Sequence, residues 1–303
     1  MAVVRRDFGG EGQLRLRMAV TMLLLGVVYG FFLWAIFALT GGSMAWALVA
    51  VTVMVLIQFA LSDRMILYSM RAKVVTPAEE PRLHAMVERL AVAAGIPKPR
   101  VAVSELDIPN AFAAGRSQKT AVVCATRRLM RILSERELEG VMAHELAHVK
   151  NRDAMVMTFA SFFSVVASTL MSWFFWMGLF GGSRRDSRDS SGSALMIAYL
   201  VTMVVWFVSQ LLILALSRYR EYAADRGAAA TTGRPIDLAS ALLTLDATMR
   251  GVPKEDLRKA EAMNAFFIMP AIGDAMAEAF SSHPPIMKRV ERLKAMQAQI
   301  GSI

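Results

Sequence analysis

Four stretches of the chain, residues 18–39, 44–61, 155–180 and 194–217, contain no Asp, Glu, Lys or Arg. An apolar helix of about 18 residues or more can cross a bilayer, and soluble helices are rarely apolar all round over such a length. Each stretch therefore predicts a transmembrane helix. The remaining chain has the shorter periods of a folded aqueous domain. Leu83, Met86, Val87, Leu90 and Ala94 recur at helical spacing after Glu80-Pro81, and Gly95 closes that helix. Short strands are expected at residues 100–103, 111–114 and 120–125, where Val, Ala and Phe sit between Pro, Gly and Ser punctuation. Ser134 and Glu137 form a capping box, and the helix they start continues through Leu138, Val141, Met142 and Glu145 to about Lys150. A Pro235-led helix to about Arg250 and a basic amphipathic helix over residues 285–299 complete the prediction. Residues 260–280 are apolar but broken by Pro270 and Gly273, which suits packed core or a groove wall.

The pattern gives a mostly α membrane protein with four transmembrane helices and an α+β domain holding a small β-sheet. Residues 1–62 and 154–217 are expected to form two membrane hairpins. Residues 63–153 and 218–303 supply the two parts of the aqueous domain. Composition agrees, with 55% hydrophobic residues among 303 and a mean hydropathy of +0.43.

A net charge of +9 could suggest nucleic acid, but its placement points to the membrane. Arg5, Arg6, Arg15 and Arg17 precede the first span, and Arg64, Arg71 and Lys73 follow the second, whereas the turn at residues 40–43 carries no charge. The positive-inside rule puts the N-terminus and the aqueous domain in the cytoplasm. The loop at 181–193, with Arg184, Arg185 and Arg188 against Asp186 and Asp189, runs against that bias. Cys124 has no partner for a disulfide, in keeping with a reducing compartment.

The chemistry lies on the helix that begins at Ser134. It carries His144-Glu145-Leu146-Ala147-His148, two of the four histidines in the chain. Residues four apart share a helix face, so both imidazoles can reach one cation while Glu145 stands beside them as a general base. A catalytic zinc takes three protein ligands and keeps one open position. Asn151 and Ala154 stand where a longer histidine motif would need Gly and His, and the chain contains no Asp-Gly pair of the kind an intramembrane site would bring. The remaining common solution is a glutamate from a second helix. Glu221, with Asp225 one turn further, follows the fourth span. Glu221 would bind the metal and Asp225 would accept a hydrogen bond from a ligating imidazole. Two crossings separate His148 from Glu221, which returns the chain to the membrane face it left.

With these motifs in hand, the chain resembles the HtpX-type membrane zinc metalloproteases. The likeness covers nearly the whole chain and includes Asn110-Ala-Phe-Ala-Ala-Gly115, Ala143-His-Glu-Leu-Ala-His148, Glu221-Tyr-Ala-Ala-Asp225 and Ser282-His-Pro-Pro285. It implies a zincin-like (gluzincin) domain with one zinc per chain on His144, His148 and Glu221, and Glu145 catalytic. It also implies hydrolysis of misfolded or damaged membrane proteins at the cytoplasmic face of the cell (inner or plasma) membrane. Asn110, Ala111, Phe112 and Ala113 resemble the family's strand beside the active site, where an extended substrate pairs by strand addition. His283 resembles a C-terminal histidine that donates to the oxyanion or blocks the metal at rest, and Arg289 is a second candidate of that kind.

Two other classes fit less well. A transporter commonly carries ionisable residues in its spans. A catalytically silent scaffold with structural zinc would have four ligands and no duty for Glu145. No Gly-x-x-x-x-Gly-Lys loop occurs, so any ATP requirement falls to a partner such as a separate ATP-dependent membrane protease system. The expected contacts are unfolded substrate and membrane lipid, with no nucleic acid.

Overall fold

A computed structural model describes residues 11–40, 45–180, 191–250 and 284–301. His283, residues 260–280 and most of the 181–193 loop lie outside the described residues. The chain is mostly helical, in the order α1 (Glu11–Thr40), α2 (Ala45–Ser69), β1 (Ala72–Val74), α3 (Pro81–Ala94), β2 (Arg100–Ser104), β3 (Ala111–Ala114) and β4 (Val122–Thr126). There follow α4 (Arg127–Ile132), α5 (Glu135–Asn151), α6 (Asp153–Phe180), α7 (Ser191–Thr232), α8 (Pro235–Arg250) and a C-terminal helix, α9 (Ile286–Gly301). It divides into two compact units, one containing Leu16–Ala60 and Val156–Leu216, the other Leu61–Met155 and Ser217–Ile303 with Met1–Arg15.

The first unit is built from apolar helices. Among the described residues three are long and apolar enough to cross a membrane, Gly12–Ala38, Asp153–Trp176 and Met196–Thr232. Thr52–Leu61 and Asp63–Ser69, bent by 59° at Ser62, make a fourth if counted as one span. Phe32 and Ile36 of α1 pack with Val166, Ala167 and Leu170 of α6 and with Ala198 and Val205 of α7. The Tyr29 hydroxyl donates to the Ala160 carbonyl at 2.5 Å, and the Gln210 amide donates to Ser164 Oγ at 3.0 Å. Polar side chains inside an apolar bundle find partners within the protein because lipid offers them none. Leu23, Trp34, Phe37 and Trp176 remain exposed, the surface an acyl-chain solvent would cover.

In the second unit four strands form a mixed sheet in the order β1-β2-β4-β3. β2 and β4 are parallel and the outer pairs antiparallel, with Val101 opposite Val123 and Phe112 opposite Cys124. β4 is buried throughout, as a strand covered on both faces should be. Val101, Val103, Val123 and Ala125 turn to the face packed by α3, α5 and α8, where Val87, Leu90, Met142, Leu146, Leu242 and Leu245 fill the core. Ala102, Phe112, Val122 and Cys124 turn to the other face, against Met70. Burial raises the Cys124 thiol pKa well above its ordinary value, so it stays a neutral apolar group.

Local chemistry sets the helix ends. Ser134 Oγ accepts from the Glu137 amide while the Glu137 carboxylate accepts from the Ser134 amide, the reciprocal capping box the sequence predicts. Gly95 ends α3 in the left-handed conformation at φ 71°. His84 is buried with Nε2 3.0 Å from the Val75 carbonyl oxygen, a structural contact between α3 and the loop after β1. Two elements, β1 and α4, were not expected from the sequence, and β4 runs over Val122–Thr126 rather than residues 120–125.

Candidate metal centre

α5 and α7 bring the central side chains together. His144 and Glu145 are buried on α5, and Glu221 and Asp225 are buried on α7. Two contacts without side-chain bulk let the helices meet their neighbours closely. A Cβ at Gly227 of α7 would come within 2.7 Å of the Ala147 Cβ, and one at Gly140 of α5 would lie 3.0 Å from the Leu238 amide nitrogen of α8. α8 is also tied to α5 by Ser240 Oγ, which donates to Glu137 Oε1 at 2.6 Å.

Nε2 of His144 and Nε2 of His148 lie 3.1 Å apart. Glu221 Oε2 is 3.5 Å from the first, and Glu221 Oε1 is 3.5 Å from the second. All three residues offer a ligand atom within 4.8 Å of the others, a possible metal site. Donors held about 2.0–2.1 Å from a tetrahedral ion are roughly 3.3 Å from one another, so these separations fit a single first-row cation. The outer ring nitrogens agree. His144 Nδ1 is 3.0 Å from Asp225 Oδ1, and His148 Nδ1 is 2.5 Å from Asp153 Oδ2. A carboxylate only accepts, so each imidazole carries a proton on Nδ1 and turns Nε2 inward, where once deprotonated it offers a lone pair to a metal. Two inward lone pairs at this distance repel unless a cation lies between them. An N2O donor set of this kind suits zinc.

Electrostatics give the same picture. Burial pulls the His144 pKa down, yet its bonds with Asp225 and Glu221 more than reverse this and hold it above the ordinary value. For His148, burial is likewise outweighed by Asp153 and Glu221, and the imidazole is pushed up to about 10. A field that favours protons on both rings also favours a metal cation in their place. Asp225 is buried too, but Arg289 beside it holds its carboxyl below the usual range.

Arg289 comes from α9 and is almost fully enclosed, at 1% exposure. Its Nε donates to Asp225 Oδ2 at 2.9 Å and its Nη2 to Asp225 Oδ1 at 2.6 Å, while Nη1 lies 3.3 Å from Glu221 Oε2. The structure thus places this sequence candidate on the carboxylates of α7. Arg292, one turn on, stacks 4.2 Å over the Tyr222 ring and pins α9 to α7 a second time.

The strand candidates Asn110, Ala111, Phe112 and Ala113 fall on β3 and the residue before it, at one edge of the sheet. The Thr126 amide donates to the Asn110 carbonyl at 2.8 Å, and the Gln118 amide donates to the Lys150 carbonyl at 2.9 Å, which ties the β3–β4 turn to the end of α5. Alternation along an antiparallel ladder then turns the N–H and C=O of Ala111 and Ala113 away from β4. Sequence reasoning missed Asp153 and Arg220, whose Nε lies 3.3 Å from Asp153 Oδ2. An acid five residues beyond His148 was the available signal, but a continuous helix would not bring it to the ring.

Residues 77–297 match a sequence model of peptidase family M48. A protease HtpX homolog of Moorella thermoacetica is 50% identical over 300 residues, covering 98% of this chain and 99% of its own. Protease HtpX homolog 2 of Methanosarcina mazei is 48% identical, covering 98% of each chain. Protease HtpX homolog 1 of Streptomyces coelicolor is 45% identical, covering 97% and 96%. Among solved structures, S. mikatae Ste24p matches 93% of this chain and 66% of that one, with a TM-score of 0.56 at 17% identity, a likeness of fold.

Proposed function

Because the chain belongs to peptidase family M48 and is a membrane-embedded metalloprotease, we propose that it is a zinc-dependent endopeptidase with one zinc on His144, His148 and Glu221. The observation that carries this is the pair of inward Nε2 atoms 3.1 Å apart, each ring locked from behind by a carboxylate. Held by these three residues, zinc would supply a Lewis acid that makes water a nucleophile near neutral pH. Glu145, next to His144 on α5, takes the proton of the attacking water and returns it to the leaving amine. Asp225 holds the His144 imidazole in the ligating tautomer. The outward N–H and C=O groups of Ala111 and Ala113 pair with an extended substrate, which needs an unfolded segment. Asn110 and Phe112, bonded inward to β4, hold that strand in place. By the resemblance of Ser282-His-Pro-Pro285 to the family's motif, His283 is the candidate to donate to the oxyanion or to block the metal at rest.

Substrates that present such segments are misfolded or damaged membrane proteins, reached by an enzyme that shares their bilayer and the surrounding lipid. Arg15, Arg17, Arg64, Arg71 and Lys73 flank the first two charge-free stretches and support a cytoplasmic active site in the inner or plasma membrane. In this reading residues 1–62 and 154–217 are the two membrane hairpins, and residues 63–153 and 218–303 are the two parts of the protease domain. Any ATP requirement would fall to a partner such as a separate ATP-dependent membrane protease system. Glu145 has no duty in a catalytically silent scaffold, and the protease relatives disfavour that alternative. The test is purified protein in detergent with an unfolded membrane protein. Cleavage should stop with a chelator and return when zinc is restored at one equivalent per chain. Cleavage that persists in chelator would rule the reading out.

A further inference from the structure

Asp153 reaches His148 only because the chain breaks between them. α5 ends at Asn151, Arg152 adopts the left-handed conformation at φ 57°, and α6 begins at Asp153. In an unbroken helix residues five apart point about 140° away from each other, so a side chain at 153 would face away from that at 148. The turn at Arg152 instead brings Asp153 Oδ2 to 2.5 Å from His148 Nδ1. A non-glycine residue in this conformation costs on the order of 1 kcal/mol, and such strain persists where the surroundings impose it. The Arg152 amide, bonded to the Val149 and His148 carbonyls, fixes the turn from the α5 side.

The carboxylate itself is held at a cost. Asp153 is buried at 2% exposure, and its Oδ1 has no hydrogen-bond partner among the described residues. Its other oxygen meets two groups, His148 Nδ1 and Arg220 Nε at 3.3 Å, the latter from the residue before Glu221. Burying a half-satisfied carboxylate is unfavourable, offset only by the groups its other oxygen meets. Here it meets the back of one proposed ligand and the neighbour of another.

We propose that Asp153 is a positioning residue for the metal, set by the left-handed turn at Arg152, that fixes the ring and tautomer of His148 and joins α5 to α7 through Arg220. This rests on His148 being a ligand. Removing such a carboxylate from behind a ligating histidine typically weakens metal binding about 10–100-fold.

The experiment measures zinc affinity of the full-length protein in detergent by chelator competition, together with the visible spectrum of the cobalt-substituted form and thermal unfolding of the metal-free form. Asp153→Ala should weaken zinc about 10–100-fold and shift the cobalt bands, and Asp153→Asn, which keeps an acceptor oxygen, should recover part of the loss. Arg152→Gly should keep native affinity, since glycine accepts the left-handed conformation, whereas Arg152→Val should lose affinity at a site that touches no metal. Native affinity and native cobalt bands in Asp153→Ala, alongside loss of zinc in His148→Ala, would overturn the proposal. If His148→Ala itself keeps full affinity, the ligand assignment has failed instead. Should Asp153→Ala not fold, Asp153→Asn decides: a severalfold loss supports the role and native affinity overturns it.

Discussion

Gly227 on α7 lies so close to Ala147 on α5 that a Cβ at 227 would stand 2.7 Å from the Ala147 Cβ. This contact is one residue from His148 and less than two turns from Glu221, so it sets how near the third proposed ligand comes to the first two. A Cβ has no rotamer by which to escape. Gly227→Ala would gain about 1 kcal/mol in helix propensity but meet an overpacking cost of about 1–3 kcal/mol. Part of that strain should be relieved by moving α7 outward. Zinc affinity should therefore fall about tenfold or more, and adding Ala147→Gly, which removes the opposing methyl, should restore it. A single variant with native affinity would show that the spacing does not depend on this contact.

Glu145 and Glu221 should separate cleanly by substitution. Glu145→Gln keeps the shape of the side chain and all three proposed ligands, so zinc should remain at one per chain while cleavage falls by about 10²–10⁴, the usual worth of a general base. Glu221→Ala, His144→Ala and His148→Ala should each lose zinc as well as activity. Metal analysis beside a cleavage assay makes the distinction. A Glu145→Gln enzyme that cleaves normally would remove that residue from the mechanism.

The sequence made legible whatever depends on local pattern. The capping box at Ser134 and Glu137, the Gly95 helix end and the pairing of His144 with His148 all lie within a few residues of one another, and each formed as read. The approach of Glu221 and Asp225 was also readable, because four-residue spacing after an apolar run is itself a pattern. β1 was not, since three residues, Ala72–Val74, carry no periodicity and pair only through the register of β2. Asp153 was hidden by a backbone turn at an arginine, a residue that gives no sign of left-handed geometry. Arg289 is legible only as a candidate, because its partners lie 64 and 68 positions away, a distance that the packing of α9 on α7 and α8 spans.

The raised histidine pKa values make metal-free stability depend on pH in a definite direction. A histidine whose folded pKa exceeds its unfolded value near 6.5 adds stability that is complete below 6.5 and lost as pH climbs through the folded value, about 10 for His148. Chelator-stripped protein should therefore weaken between pH 6.5 and 10, by up to about 1.4 kcal/mol per pH unit for each proton released. Asp225, held low, works at the other end, and its contribution disappears as pH falls below the ordinary carboxylate range. Zinc displaces the histidine protons, so its stabilising effect should grow across the same upper window. Thermal unfolding of stripped and zinc-loaded protein from pH 6 to 10 tests this. A flat curve for the stripped form would contradict the raised histidine pKa values.

The edge strand offers a test that leaves the metal untouched. Phe112 and Ala114 face β4 as the bonded pairs of the ladder, with Cys124 and Val122 opposite, while the amide of Ala113 points to the open edge. Proline is tolerated on an edge strand when its missing N–H would have faced outward. Ala113→Pro should therefore fold and bind zinc normally, yet remove one backbone hydrogen bond to an extended substrate, worth about 0.5–1.5 kcal/mol, and bring a ring into its path. The expected result is a KM raised severalfold or more for unfolded protein substrates with zinc content and melting temperature unchanged. Phe112→Pro, which would break a ladder bond to Cys124, should instead destabilise the domain and serves as the contrast. Unchanged kinetics in a folded Ala113→Pro enzyme would place the substrate elsewhere than along β3.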